Sequence, residues 1–161
     1  TEVTDARVYD DADTGDVSIF LRGPSGAVSG AAVTAVTTAI LRCATPQCIT
    51  PVVESATNQT IAVTYQLWLY SADSRSVEEI EDAVEAALIA MLLARPIGGD
   101  VITPGSNGSI FLRLIESTIR GVSPYAFRVE LTLPASDVEL DPDEVAVLGV
   151  VTPTITKVAD P

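Results

Sequence analysis

An alternation of apolar and polar residues predicts the clearest strand of the chain at 61–70. Successive side chains of a strand point to opposite sides, so the odd positions share one face. That apolar face comprises Ile61, Val63, Tyr65, Leu67 and Leu69. We expect it to pack on helices, with Trp68 and Tyr70 on the other side. Shorter alternating runs predict strands at 6–9, 17–22, 49–54, 125–133 and 145–151.

Apolar residues at helical spacing predict a long helix over 76–94. Ser76, followed three positions later by Glu79, is a capping-box sequence worth roughly 1 kcal/mol. The acids of the first turns lie at the positive end of the helix dipole and Arg95 at the negative end, so we interpret them as a solvated face. The predicted buried stripe is Val77, Ile80, Val84, Ala87, Leu88, Met91 and Leu92.

Two further helices are predicted, one on each side of this one. The first opens at Ser29 and finishes near Cys43, before Pro46 blocks its continuation. Its Ala, Val and Thr content makes it a weak helix by propensity, so packing must hold it. The second covers 110–120, with Gly121 as its C-terminal stop. Its predicted inward residues are Ile110, Leu114 and Ile115.

Two polar connections, punctuated by Gly or Pro, are predicted to reach protein partners. They are the loop 97–108, which follows Pro96, and the acidic turn 141–144. The predicted partner contacts are Gly98, Gly99, Asp100, Asn107, Asp141, Asp143 and Glu144. The loop is not a phosphate cradle, because no Lys-Ser/Thr pair follows its glycines and their spacing fits neither common fingerprint.

The polar segment 10–16 is predicted to join the first two strands as a hairpin. Its Asp residues before Gly15 suggest a calcium site as an alternative. The EF-hand spacing fails, however, because the glycine is misplaced and no Glu closes the loop. A solvated turn is the better account of this segment.

Together these elements predict an α+β fold, with mixed or antiparallel strands packed against two to three helices. We expect two small subdomains, a β-β-α-β unit at 1–56 and a β-α-α-β-β unit at 57–161. A chain of 161 residues, 47% of them hydrophobic, buries roughly 70% of its unfolded surface, which is enough for such a pair. No apolar run approaches the ~20 residues that a helix needs to cross a bilayer.

The composition argues against several classes of function. The chain has no His, and 9 Lys+Arg against 22 Asp+Glu give a formal net charge of -13. Nucleic acid and anionic membranes would require basic clusters, so neither is expected as a partner. Without His, the usual general base and the commonest metal ligand are both missing. We therefore expect no metal, cofactor, catalytic residue or small-molecule substrate.

Cys43 and Cys48 are the two cysteines of the chain. A zinc site would need two more soft ligands, and neither Cys nor His remains to provide them. A disulfide across the intervening turn and two free thiols both stay open, with free thiols preferred. The chain starts Thr1-Glu2-Val3 without a charged and apolar leader, so we expect an excised fragment with no signal peptide.

The order of motifs along the chain resembles a known family. A Val-x-x-Ile helix leads into Pro96-Ile97-Gly98-Gly99-Asp100-Val101, followed by a short helix ending in Gly-Val, a strand, and a closing run at 143–151. This order resembles the C-terminal part of the baseplate J-like proteins of contractile phage tails. Three features depart from the family pattern: the loop 103–108 is longer, the cysteine pair has no counterpart, and the family's N-terminal half has no equivalent in this sequence.

The resemblance implies a structural protein rather than an enzyme. Its implied role is a baseplate wedge component of a contractile phage tail, a prophage or a related injection system. The implied partners are other wedge proteins and copies of itself. The implied location is the virion tail baseplate, with the bacterial cytoplasm before virion assembly. The family has no known catalytic residues, so none are carried over.

Two alternatives belong to other classes. A surface or adhesin-type binding domain would use the glycosylation motifs at Asn58 and Asn107, although such short motifs often occur by chance. A carboxylate-dependent hydrolase, such as a glycoside hydrolase, would use two of the 22 acids. One Trp and four Tyr make a poor sugar platform, and no acid lies in an apolar setting that would single it out.

Overall fold

The computed structural model has an α+β fold and describes residues 2–10, 16–43, 50–103 and 106–160. Three helices and nine strands lie in these ranges. The helices are α1 (Gly30–Cys43), α2 (Val77–Leu93) and α3 (Leu112–Gly121). The strands are β1 (Asp5–Asp10), β2 (Val17–Gly23), β3 (Gly26–Ala27), β4 (Val52–Ser55), β5 (Thr57–Tyr70), β6 (Gly108–Ile110), β7 (Ala126–Leu133), β8 (Val138–Leu140) and β9 (Glu144–Val158).

The chain forms two compact units, each built from three separate segments. Unit 1 comprises Thr1–Gln59, Arg95–Gly108 and Leu140–Ala146. Unit 2 comprises Thr60–Ala94, Ser109–Glu139 and Val147–Pro161. The predicted subdomain 1–56 corresponds to most of the first segment of unit 1. The two later segments of unit 1 lie within the predicted subdomain 57–161, because long-range contacts attach them to the N-terminal part.

The sheet of unit 1 is centred on β2. Strand β1 pairs with it antiparallel from Asp10 opposite Val17 to Asp5 opposite Arg22, which confirms the predicted pairing of the first two strands. Strand β4 runs parallel to β2, and the two-residue β3, which the sequence pattern did not indicate, extends the antiparallel pairing. A small apolar core draws on all three segments of the unit: Phe20, Ala56, Ile97 and Val145.

The sheet of unit 2 has the order β7-β5-β9. Strand β7 is antiparallel to β5. Strand β9 runs parallel to β5, because its contacts advance in step with that strand: Gly149 packs against Thr60 and Ile61, and the Val158 carbonyl accepts from the Ser71 N–H at 2.8 Å. The five odd-numbered residues predicted on the inner face of β5 are all buried, so that prediction is confirmed.

Helix α2 begins as predicted. The Ser76 hydroxyl accepts from the Glu79 N–H, and the Glu79 carboxylate accepts from the Ser76 N–H, which completes the capping box. The predicted stripe is confirmed at its centre but wrong at Val77, which lies in the exposed first turn. The fully buried residues of the helix are Ile80, Val84, Leu88 and Leu92.

Helix α3 begins later than predicted. Ile110 is buried, but it belongs to β6, because 108–110 pairs with β8 instead of entering the helix. The buried residues of α3 are Ile115 and Ile119, and Leu114 is only half-buried. The helix packs against β7 and α2. Its last residue is Gly121 and its C-cap is Val122, so the helix ends one residue later than predicted and Gly121 is not the stop.

Helix α1 has the predicted span but little buried surface. Ala32 is its one buried residue within the described side chains, and Leu41 is about half exposed. The helix packs on β4. The hydroxyls of Thr34, Thr37 and Thr38 donate to carbonyls one turn earlier. These hydroxyls therefore have hydrogen-bond acceptors within the helix itself.

Two sequence hypotheses fall largely outside the described ranges. These are the thiol state of the cysteine pair, since Cys48 lies between them, and the turn or calcium alternative at 11–15. Across the described ranges, no helix is both long and apolar enough to span a bilayer.

Candidate functional site

The structure brings together the two connections that were predicted to reach partners. The Gly98 N–H donates to the Glu144 carbonyl at 2.6 Å, and the Asn107 Nδ2 donates to the Asp141 carboxylate at 2.9 Å. Both connections belong to unit 1. We call the described residues of 97–108 and 141–144 the loop and turn surface.

The acidic turn is closed by its own backbone and side chains. The Glu144 N–H donates to the Asp141 carbonyl at 2.9 Å, and the Glu144 carboxylate accepts from the Asp141 N–H at 3.0 Å. Asp143 is fixed to the start of β5, where Thr57 donates its N–H to the Asp143 carbonyl and its hydroxyl to the Asp143 carboxylate. The turn is therefore a defined structure that presents carboxylates in fixed positions.

The glycines of the loop have a structural role. Gly98 and Gly99 have φ angles of 76° and 70°, the left-handed region that glycine tolerates best. A Cβ on Gly108 would lie 2.0 Å from the Gly98 carbonyl oxygen, so the two backbone stretches can cross only when residue 108 has no side chain. Sequence reasoning did not single out Gly108, because its role depends on this crossing.

The seven predicted contact residues differ in their exposure. Asn107 and Asp141 are exposed, whereas Asp100, Asp143 and Glu144 are half-buried. Gly98 and Gly99 are buried, so they shape the loop from within and do not present surface.

Asp100 is part of a local ion-pair arrangement. Its carboxylate lies 3.1 Å from Arg95 Nη1. The carbonyl of Arg95 in turn accepts from Arg22 Nη1 at 2.6 Å, and Arg22 Nη2 lies 3.0 Å from the Asp5 carboxylate. This chain of contacts ties the start of the loop to β1 and β2. The Arg95 side chain, predicted at the negative end of the helix dipole, thus pairs with a carboxylate of the loop.

Arg7 is a residue of the site that sequence reasoning missed. Its Nη1 donates to the Ile97 carbonyl at 2.7 Å, across ninety positions of sequence. A Cβ on Gly98 would lie 1.8 Å from the same nitrogen, so the guanidinium rests directly on the glycine backbone. A single arginine in an alternating strand gives no signal of this in the sequence.

Arg7 lines two depressions of unit 1. A groove of about 530 Å³ runs between residues 5–8 of β1 and the segment 96–101. A smaller niche of about 170 Å³ is lined by Arg7, Tyr9, Val101, Ser106, Asn107, Gly108 and Pro142. We call this smaller depression the Arg7 niche. Its lining combines one cation with neutral hydrogen-bonding groups.

Unit 2 holds the most strongly perturbed carboxyl group. Hydrogen bonds from Arg75 and from the Ser123 hydroxyl hold the pKa of Asp73 well below its usual range, against the opposing effect of burial. Ser123 also accepts from the Tyr125 N–H at 3.2 Å, and Lys157 donates to the Asp73 and Arg75 carbonyls. These polar groups bind one another, so we assign the cluster a structural role.

The outer face of the unit 2 sheet carries paired aromatic groups. The rings of Tyr70 and Phe127 stack with centroids 4.7 Å apart, and the Arg128 guanidinium lies 4.9 Å from the Trp68 ring centroid. One face of each ring is thus occupied by a neighbour from the same chain. Such pairs stabilise the sheet by cross-strand contact.

Within the described ranges, no group of three His, Cys, Asp or Glu residues is arranged to hold a metal ion. The loop and turn surface offers carboxylates and an amide, and the Arg7 guanidinium of β1 lies beside it. No family model and no curated protein sequence matches the chain.

Proposed function

We propose that this chain is a structural component of a contractile phage tail or related injection machine, acting as a baseplate wedge protein that binds neighbouring wedge proteins and copies of itself. The observation that carries the proposal is the direct contact between the loop and the acidic turn, which form one polar surface. Polar loops held by a rigid scaffold are common recognition elements. We place the protein in the virion tail baseplate after assembly.

Electrostatics support this proposal. The chain carries a formal net charge of -13, and the turn concentrates Asp141, Asp143 and Glu144 within four positions. An acidic surface steers association toward a basic patch and disfavours partners of like charge. The same charge favours solubility before assembly.

The resemblance to baseplate J-like proteins adds the identity of the assembly. Its motifs correspond to defined elements of the fold: the capped α2, the glycine loop that follows it, the short α3, and the acidic turn before β9. The loop and the turn therefore belong both to the motif order that resembles the family and to one structured polar surface.

The test is co-expression of the full-length product with the proteins encoded beside its gene, followed by affinity capture and native mass spectrometry. We expect a defined hetero-complex. The triple variant Asp141→Lys, Asp143→Lys and Glu144→Lys should weaken it at least tenfold. The matched control is Glu54→Lys, Asp82→Lys and Glu85→Lys, which makes the same charge change at exposed positions elsewhere.

A clean monomer that captures no neighbour would contradict the proposal. Equal loss of complex in the control triple would assign the effect to net charge alone. Retention of the complex in the turn variant would remove the acidic turn from the interface.

A further inference from the structure

Arg7 is a half-buried cation without a carboxylate partner in the described part of the chain. No Asp or Glu oxygen of those residues lies within 4.0 Å of its guanidinium. Five other arginines do form such pairs: Arg22, Arg75, Arg95, Arg113 and Arg128. A guanidinium removed from water needs compensating acceptors, and the acceptor that Nη1 of Arg7 finds is the neutral Ile97 carbonyl.

The position of the guanidinium is fixed before any ligand arrives. The Ile97 carbonyl holds one end at 2.7 Å, and Gly98 leaves the space in which the group lies. The guanidinium has five N–H donors in a planar fork, so the bond to Ile97 leaves most of them available. Preorganised donors of this kind lose little entropy when they bind a planar anion.

Two acids that line the neighbouring groove, and Asp141 next to the niche, already have donors of their own. Asp5 is paired with Arg22, Asp100 with Arg95, and Asp141 accepts from Asn107. These contacts leave the Arg7 guanidinium without a carboxylate partner among the described residues. The niche is also lined by Tyr9 and Asn107, whose side chains carry neutral donors.

We propose that the Arg7 niche binds the carboxylate of an acidic side chain presented by a partner protein. The proposal rests on the proposed function, because the niche lies between β1 and the loop and turn surface. A carboxylate matches the guanidinium fork with two parallel hydrogen bonds. It also carries one negative charge, which a chain of formal net charge -13 repels less than it repels a phosphate dianion. The niche of about 170 Å³ suits a side-chain terminus rather than a large ligand.

The test uses the whole chain, labelled with nitrogen-15, and N-acetyl-glutamate N-methylamide as the probe. We expect saturable shifts of the backbone amides of Tyr9, Val101, Asn107 and Gly108. The neutral isostere N-acetyl-glutamine N-methylamide should produce none. Arg7→Gln should weaken binding at least tenfold, and Arg7→Lys should weaken it less. Arg120→Gln, a change at an exposed arginine of unit 2, should leave binding unchanged.

A second variant keeps the test decisive if Arg7→Gln fails to fold. Asn107→Asp adds a negative charge at an exposed position of the niche and should also abolish binding. Unsaturable shifts, equal shifts with the glutamine probe, or full binding by Asn107→Asp would overturn the proposal. Phosphate or acetate binding as tightly as the glutamate probe would overturn the assignment to a partner side chain.

The two proposals fail in different ways. A chain that binds the glutamate probe but captures no neighbouring protein loses the wedge function and keeps the carboxylate site. A chain that forms the hetero-complex, with Arg7→Gln assembling as well as wild type and no probe binding, keeps the wedge function and loses the site.

Discussion

The buried carboxylate of Asp73 accepts a hydrogen bond from the hydroxyl of Ser123 at 2.6 Å, across fifty positions of sequence. Arg75 completes the arrangement with an ion pair to the same carboxylate oxygen. Lys157 donates to the Asp73 carbonyl at 2.8 Å. One carboxylate thereby connects the segment before α2, the segment after α3 and the end of β9.

Asp73→Asn should destabilise the protein by about 3 kcal/mol. The change removes the charge from a buried group that accepts several hydrogen bonds, and it leaves Arg75 without its anion. Ser123→Ala removes one donor and should cost less, about 1 kcal/mol. Chemical denaturation at pH 7 measures both. If Asp73→Asn leaves the free energy of unfolding unchanged within error, the structural role of the cluster is contradicted.

The stability that Asp73 contributes should depend on pH. Its folded-state pKa lies below that of the unfolded chain, where Asp titrates near about 4. The contribution is therefore complete above about pH 4 and is lost as the pH falls through the folded-state pKa. The difference in unfolding free energy between wild type and Asp73→Asn should shrink between about pH 4 and 2. A constant difference over that range would contradict the assignment.

Tyr65→Phe should preserve or raise stability at neutral pH, by up to about 1 kcal/mol. The Tyr65 hydroxyl is buried and has no hydrogen-bond partner among the described residues, so its removal relieves an unsatisfied polar group. Burial, with Glu81 and Glu85 adding to the effect, raises the pKa of Tyr65 to about 12. A loss above about 1 kcal/mol would reveal a partner for the hydroxyl.

The same tyrosine gives an alkaline signature that belongs to this prediction. Unfolded tyrosine ionises near about 10, so between about pH 10 and 12 the unfolded chain releases a proton that the folded chain keeps. Wild-type stability should therefore fall more steeply with rising pH than that of Tyr65→Phe. Denaturation curves at several alkaline pH values measure the difference.

Leu88→Ala should cost about 2–5 kcal/mol. Leu88 is fully buried at the centre of the α2 stripe, and its truncation removes apolar contacts and leaves a cavity. The matched control is Ile89→Ala, because the neighbouring Ile89 is 41% exposed. We expect this variant to change the free energy of unfolding by less than about 1 kcal/mol. Thermal unfolding of both variants tests the assignment, and equal effects would contradict it.

Gly108→Ala should destabilise the loop crossing by about 1–3 kcal/mol or more. The new Cβ would lie 2.0 Å from the Gly98 carbonyl oxygen and 2.8 Å from the Gly99 carbonyl carbon, so the backbone must move. Gly121→Ala is the matched control, because a Cβ there meets nothing within 4 Å. We expect that control to be neutral or to gain up to about 1 kcal/mol from its helical position. Thermal unfolding distinguishes the two.

Local signals in the sequence account for the elements that were predicted well. The capping box and the apolar spacing of α2 each relate residues that are only one or two helical turns apart. The alternation of β5 is continuous along the strand. Elements that depend on distant partners were missed or misplaced. Ile110 has helical spacing, but 108–110 pairs with β8, a short strand that no local pattern marked. Strand β9 continues through Pro153 because a strand at the sheet edge can lack a donor.

The candidate site shows the same limit. Composition alone identified the loop and the acidic turn as polar connections, but not that Gly98 and Glu144 are joined by a hydrogen bond. Arg7 had no sequence signal, because its role arises from a contact to Ile97 across ninety positions. The burial of Gly98 and Gly99 follows from the same crossing.

The three-part construction of unit 1 bears on how the protein is made. Its apolar core needs Phe20 and Ala56 from the first segment, Ile97 from the second and Val145 from the third. During synthesis the first segment emerges from the ribosome long before Val145 does. Until Val145 is synthesised, the N-terminal strands therefore lack part of the apolar core that covers them. A nascent chain stalled before the acidic turn should be digested by protease more readily than the finished chain.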